Sequence, residues 1–173
     1  MEESRYWMIF TAVCVASLIG VLEYGGMINL FGASEESSGA FDTSDDIHEL
    51  GETCLDSHNG VAMHIHPMLA IVIDGENYPI PENAGIDTEI CPGAMHVTHT
   101  HDESGRLHVE GPQLVDVPLE VFFDVWGKHF DSTGIFDYRD GTITMTVNGT
   151  ESTAYQNLIL EDEQEIVITY TSN

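Results

Sequence analysis

Residues 61–73 read VAMHIHPMLAIVI, and apolar side chains occupy alternate positions through most of this stretch. Because successive side chains of a β-strand point to opposite faces, the alternation predicts one long strand, with a bend at Pro67. The buried face would carry Val61, Met63, Ile65, Leu69, Ile71 and Ile73. The opposite face would carry Ala62, His64, His66, Met68, Ala70 and Val72. Two histidines therefore share the face turned away from the core.

Two hairpins and a terminal strand are predicted farther along the chain. Residues 96–101 and 106–110 flank the turn Asp102-Glu103-Ser104-Gly105, and Asn148-Gly149 separates two further strand-like runs. The last strand is expected at residues 165–171, which read EIVITYT. These patterns are typical of a mainly β domain.

One segment changes to helical periodicity. Between Pro118 and Gly127, apolar side chains recur at i, i+3, i+4 and i+7, namely Leu119, Phe122, Phe123 and Trp126. Strands followed by one short helix and then more strands predict an α+β fold.

Two resemblances bear on this fold. Residues 157–170, NLILEDEQEIVITY, resemble the end of ubiquitin-like β-grasp carriers, which implies a ββ-α-ββ order. Those carriers end in a reactive Gly-Gly that residues 170–173 do not reproduce, so carrier function is not implied. The HIHP stretch and PGAMH (residues 92–96) loosely resemble cupin motifs, and a cupin-like β-barrel is the alternative fold. The glutamate that cupins place after H-x-H is missing here.

The charge is strongly acidic. Against 30 Asp and Glu the 173 residues contain 4 Lys and Arg, a formal net charge of −26. Such a surface repels phosphate backbones, which excludes nucleic-acid binding, and it favours a salty, halophilic or marine environment.

The N-terminal part predicts a membrane anchor. Residues 6–22 are uncharged and apolar, which is just long enough for a spanning helix, so we assign residues 1–32 to the anchor. A cleaved signal peptide is the alternative, with Gly32-Ala33-Ser34 as its small-residue site. Residues 33–46 would form an acidic tether. Arg5 before the span favours an extracytoplasmic location for the remaining domain, residues 47–173.

Three cysteines occur, and Cys14 lies inside the predicted span. Cys54 and Cys91 are then the only pair outside it, and a disulfide is expected in an oxidising compartment. Two free thiols, or thiolates bound to a metal, are the alternatives.

The histidines carry the main functional signal. Of nine, six fall in three short strand-like stretches: His64, His66, His96, His99, His101 and His108. If residues 102–105 form a four-residue turn, His101 pairs with Arg106 and His99 lies directly opposite His108, close enough for both rings to reach one ion. Ordinary strand histidines and a pH sensor are the alternative interpretations.

The predicted metal ligands are therefore His64, His66, His99, His101 and His108. Imidazole suits copper and zinc, and the neighbouring Met63, Met68 and Met95 favour copper, although only Met68 shares the face of His64. Asp102 and Glu110 are candidate acceptors for a ring N–H, and Asp102 could equally cap its own turn.

Four blocks together resemble an uncharacterised group of small, membrane-anchored prokaryotic proteins with HIHPxL, HTHDxSG, IHVE and FFDVWG blocks. Here the blocks read HIHPML (64–69), VTHTHDESG (97–105), LHVEG (107–111) and VFFDVWG (121–127), and the resemblance extends from about Met63 to the end. The resemblance implies that the histidines act as a unit and brings no settled activity. Where members commonly have a third histidine after HIHP, this chain has Met68, and the resemblance therefore implies a ligand that is exchanged or lost.

Three functions are consistent with these patterns. The first is a membrane-anchored, extracytoplasmic protein that binds or delivers a metal ion, with copper expected ahead of zinc. The second is a metalloenzyme whose three histidines leave a position for water. The third is an assembly subunit, with an unknown protein partner, whose histidines are structural. A Gly-rich phosphate loop and a G-x-S-x-G motif are missing from the sequence, so nucleotide-dependent and serine-hydrolase activities lack support.

Overall fold

The computed structural model describes residues 47–55 and 61–173, all within one compact unit, Phe41–Asn173. The predicted anchor and tether, residues 1–32 and 33–46, lie outside the described residues. Among the helices of the described ranges, none combines the length and apolar character that crossing a bilayer requires. The domain is mainly β with one short α-helix, in agreement with the predicted α+β class.

The described residues form twelve strands, one α-helix and one short 3-10 helix, Tyr155–Asn157. The α-helix, α1, spans Glu120–Trp126. The strands are β1 Cys54–Leu55, β2 Met63–Ile65, β3 Met68–Ile73, β4 Glu76–Tyr78, β5 Met95–His96, β6 Thr98–His99, β7 His108–Gly111, β8 Phe130–Asp131, β9 Gly134–Ile135, β10 Gly141–Val147, β11 Thr150–Ser152 and β12 Glu165–Ser172.

A five-stranded mixed sheet is the largest element of the domain, with the order β11-β10-β12-β3-β4. The central pair, β12 and β3, runs parallel, from Glu165 beside Met68 to Tyr170 beside Ile73. The other pairs are antiparallel hairpin or neighbour contacts. The predicted Asn148-Gly149 turn joins β10 to β11, with both residues at positive φ, 51° and 74°.

Helix α1 carries the predicted aromatic stripe. Leu119, Phe122 and Phe123 are at most 1% exposed, and Trp126 packs at the border of the same core. Gly127 ends the helix in a left-handed conformation, with its N–H donating to the Asp124 carbonyl. The aromatic side chains of α1 therefore pack in the same apolar core as the buried faces of β3, β10 and β12.

The predicted long strand is divided in two at Pro67. The first part, β2, joins a three-stranded antiparallel sheet with the order β2-β7-β6, whereas β3 enters the main sheet. Backbone hydrogen bonds hold the junction, from Met68 N–H to the Gln164 carbonyl and from Leu107 N–H to the Pro67 carbonyl. The alternation is confirmed, since Met63, Leu69, Ile71 and Ile73 are buried while His64 and Ala70 are exposed.

Candidate metal centre

One face of the three-stranded sheet carries histidines from all three strands. Strand register places His64 opposite Glu110 and His99 opposite His108, so these four side chains share a face. The predicted pairing of His99 with His108 is confirmed. The ladder ends there, and Arg106 bridges Met68 instead of joining the predicted pair with His101.

The opposite face of this sheet is apolar and enters the core. Leu107 and Val109 are fully buried there, and Met63 is 5% exposed. Val97 is also buried, on the histidine face. Both faces of the β6–β7 hairpin are therefore covered, which explains why apolar residues occupy both alternating positions of its sequence.

His108 lies at the centre of the histidine cluster, which we define as His64, His66, His99, His101 and His108. His66 and His101 follow the ends of β2 and β6, and each ring centroid lies 4.6 Å from that of His108. The His64 and His99 centroids lie 5.8 and 5.3 Å from it. All five sequence-predicted residues are thus brought together.

Two sets of three ligand atoms within the cluster are close enough to hold an ion. His64, His66 and His108 form one set, and His99, His101 and His108 form the other, with ligand atoms within 4.8 Å of one another in each set. Nitrogens bound tetrahedrally at about 2.0–2.1 Å stand about 3.4 Å apart. The 4.8 Å limit thus exceeds that spacing by about 1.4 Å, a difference that side-chain rotation has to close when an ion binds.

Glu110 lies among these rings and is completely buried. Its Oε1 atom is 3.1 Å from His64 Nε2, 3.7 Å from His108 Nδ1 and 4.0 Å from His99 Nε2. Burying a carboxylate is costly unless hydrogen bonds and a nearby positive charge compensate it. The sequence identified Glu110 as an outer acceptor, and the structure gives it a more central place.

A hydrogen bond to the backbone fixes the orientation and the tautomer of the His99 ring. Its Nδ1 lies 3.0 Å from the His96 carbonyl oxygen, which can only accept, so Nδ1 carries the proton. The Nε2 atom then presents a lone pair toward the side of Glu110. A ring N–H bonded to a backbone carbonyl is the usual way in which a protein fixes the tautomer of a metal-bound histidine.

The electrostatics keep two of the rings neutral. Burial lowers the pKa of His99 to about 4, outweighing the opposing effects of the His96 carbonyl and Glu110. Burial also lowers the pKa of His108 to about 4, with a further contribution from the neighbouring His101 and His66 rings. Both are therefore neutral at physiological pH, which is the form that binds metals.

The turns that carry the outer ligands are fixed by local contacts. Asp162 accepts the His66 backbone N–H at 2.9 Å, with its carboxylate 3.9 Å from the ring Nδ1. Asp102 caps its own turn by accepting the Ser104 N–H at 2.8 Å, as the sequence allowed. Gly105 has a φ of 82°, and a Cβ there would overlap the Leu69 carbonyl oxygen, so glycine is needed where this turn crosses β3.

His96 belongs to a separate, structural arrangement. Its ring lies between the Gly51 carbonyl, 2.5 Å from Nδ1, and the Thr88 hydroxyl, 2.7 Å from Nε2. The adjacent Cys54 and Cys91 form a disulfide, with their Cα atoms 5.5 Å apart. The predicted bridge is therefore present, and a thiolate metal site at these cysteines is excluded.

The two other described histidines, His48 and His129, make separate contacts with acidic side chains. His48 faces Glu120 at 4.0 Å, and His129 faces Asp131 at 3.3 Å, while His58 lies outside the described residues. Met68, the methionine that favoured copper, begins β3 and pairs with Glu165 in the main sheet. The donors that the cluster itself offers are imidazole nitrogens and one carboxylate.

Comparisons of the chain with protein-family models, with curated proteins and with solved structures found no match.

Proposed function

We propose that this domain binds a divalent transition-metal ion through the histidine cluster and holds or delivers it outside the cytoplasm. The observation that carries the proposal is the convergence of four imidazoles on the His108 ring, with the fully buried Glu110 carboxylate within 4.0 Å of the His64, His99 and His108 rings. Ordinary strand histidines need no such arrangement, because solvent or backbone partners satisfy them individually. A bound cation would balance the Glu110 charge and use the lone pairs of the neutral rings.

Copper is the metal we propose, with zinc as the alternative. Both accept imidazole and carboxylate donors, and the Irving–Williams order places Cu²⁺ above Zn²⁺ at a site of given ligands. Since Met68 enters the main sheet, the argument no longer depends on a thioether, and Cu²⁺ is the expected oxidation state. The acidic surface, with Asp102 and Asp162 next to the cluster, would attract cations.

The extracytoplasmic location is supported by the disulfide between Cys54 and Cys91, because such bridges persist in oxidising compartments. Membrane attachment rests on the sequence of residues 1–32. For the fold, we propose a β-grasp-like arrangement over a cupin-like barrel. The main sheet is open, and its first and last long strands, β3 and β12, are parallel neighbours with α1 between them in sequence.

Metal titration of the full-length chain tests the function. The chain is purified in detergent, stripped with a chelator and dialysed against Cu²⁺ or Zn²⁺, and bound metal is measured by elemental analysis. We expect stoichiometric binding by the wild type and loss of binding in the His99→Ala/His108→Ala double variant. That variant removes a ligand from both three-histidine sets.

The matched control is the His48→Ala/His129→Ala double variant, which removes the same number of imidazoles outside the cluster. Circular dichroism of every variant verifies folding, and a His99→Asn/His108→Asn pair avoids an empty volume at the buried His99. Binding that falls equally in the control and cluster variants, or a wild type that retains no metal, would contradict the proposal.

A metalloenzyme is the second candidate, because Glu110 supplies a carboxylate beside the rings. His64 and His101 are exposed, so water could reach an ion held by either set. A three-histidine ion with a bound water and a nearby carboxylate base is a recurrent hydrolytic arrangement. Turnover of activated ester or phosphoester substrates by the zinc-loaded chain, lost in Glu110→Gln, would favour this candidate.

A further inference from the structure

We infer that the histidine cluster offers two overlapping positions for a single divalent ion, and that only one position is filled at a time. The β2 position is formed by His64, His66 and His108, and the β6 position by His99, His101 and His108. The inference rests on the proposed metal-binding function and specifies how the cluster carries it out.

The two positions lie on opposite sides of the His108 ring. His64 and His66 form a close pair at the end of β2, with centroids 4.6 Å apart, and His99 and His101 form another at the end of β6, 4.8 Å apart. Strand β7, which carries His108, lies between β2 and β6 in the sheet. The sheet order therefore makes His108 the one ring that both pairs can share.

Sharing His108 makes the two positions exclusive. A neutral imidazole has one lone pair for a metal, because its other ring nitrogen carries the proton. Filling both positions would require His108 to lose that proton as well, or one ion to bind with only two histidines. Neither arrangement is as favourable as one ion with three neutral imidazoles.

The single carboxylate of the cluster also favours one bound ion at a time. Glu110 is the buried carboxylate that faces the rings, and its Oε1 lies 3.1 Å from His64 Nε2 on one side and 4.0 Å from His99 Nε2 on the other. One carboxylate thus adjoins both positions and can compensate one divalent ion in either. Two such ions would bring four positive charges against its single negative charge, at close range and partly away from water.

An ion in either position can pass to the other without leaving the protein. The move exchanges two imidazoles for two others while Glu110 stays beside the ion, and the His108 proton moves from the ring nitrogen that the ion will bind to the one that it leaves. Each position also includes an exposed ring, His64 or His101, so both are accessible from solvent. This arrangement suits an ion that is held firmly and then handed on.

The test uses His64→Ala and His101→Ala, because both side chains are exposed and their removal opens no internal volume. Each single variant of the full-length chain disables one position, and the double variant disables both. We expect one Cu²⁺ per chain for the wild type and for each single variant, and no stoichiometric binding for the double variant. The electron paramagnetic resonance spectrum of the wild type should be a sum of the spectra of the two single variants.

Three outcomes would overturn the inference while leaving the proposed function in place. These are two Cu²⁺ ions per wild-type chain, loss of the ion in either single variant, or a wild-type spectrum that no weighted sum of the two single-variant spectra reproduces. The His48→Ala/His129→Ala variant serves as the control and should match the wild type. A wild type that binds no Cu²⁺ would instead contradict the proposed function itself.

Discussion

Replacing Glu110 with glutamine tests whether this buried carboxylate serves a cation. Glutamine has nearly the same shape and keeps an oxygen that can accept the His64 ring N–H, but it carries no charge. We expect Glu110→Gln to weaken Cu²⁺ binding and, in the metal-free chain, to raise the free energy of unfolding. Weaker Cu²⁺ binding together with a more stable metal-free fold would indicate a carboxylate that serves an ion. A carboxylate that stabilises the fold would instead make the metal-free variant less stable.

The magnitudes follow from the position of the carboxylate. Its Oε1 lies 3.1–4.0 Å from three ring nitrogens, and about 4 Å is taken as its distance from a bound ion. Two unit charges at about 4 Å attract by about 4 kcal/mol at an effective dielectric of about 20, and a divalent ion doubles this gross attraction. Desolvation offsets most of it, and we expect Cu²⁺ affinity to fall about 10- to 100-fold. In the metal-free chain, relief of the desolvation cost of the buried carboxylate should outweigh the weakened contact with His64 and raise the free energy of unfolding by about 1–3 kcal/mol.

The assay combines a competition titration with Cu²⁺ and urea unfolding of the chelator-treated chain at pH 8, where histidines with ordinary pKa values are neutral. Glu103→Gln, an equal charge change at an exposed position of the neighbouring turn, is the control. Equal affinities in the two variants would refute the reasoning. A metal-free Glu110→Gln chain less stable than the wild type would show that the carboxylate acts as a structural partner of His64.

Three further predictions concern stability. Because burial lowers the pKa of His99 to about 4, the unfolded chain binds a proton between about pH 6.5 and 4 that the folded chain does not. The free energy of unfolding of the metal-free protein should therefore be unaffected by His99 above pH 6.5 and fall by about 3 kcal/mol as the pH falls to 4. Urea unfolding at several pH values measures this dependence, which should be weaker in His99→Asn. An equally strong pH dependence in that variant would contradict the prediction. The Cys54→Ser/Cys91→Ser variant should lose about 4 kcal/mol, since the bridge spans 37 residues, and unchanged unfolding in reductant would count against this. Gly105→Ala should lower the free energy of unfolding, measured by thermal unfolding, by about 2–3 kcal/mol and also weaken Cu²⁺ binding. Gly149→Ala, which has open space around its Cβ, should lower it by about 1 kcal/mol and leave Cu²⁺ binding unchanged.

Local patterns predicted the elements that depend on local geometry. The alternation of residues 61–73 gave the correct buried face on both sides of Pro67, and the i, i+3, i+4, i+7 stripe located α1. The predicted register of His99 opposite His108 is confirmed, whereas the closing pair of the predicted turn, His101 with Arg106, does not form because Arg106 bridges Met68.

The contacts that complete the site are long-range, and the sequence alone did not reveal them. The pairing of β2 with β7 brings His64 to Glu110, and no turn connects these strands to fix their register. Glu110 is two residues after His108, so it was expected on the same face, but its complete burial depends on packing from both sides of the sheet. The short strands β1, β5, β8 and β9 likewise have too few residues to show a period.

X-ray absorption at the copper edge of the Cu²⁺-loaded full-length chain tests the central claim most directly. We expect a first shell of nitrogen and oxygen atoms at about 2.0 Å, with the outer-shell scattering of about three imidazole rings. Sulfur scattering at about 2.3 Å, or a shell of oxygen atoms without imidazole features, would contradict an ion held by the histidine cluster.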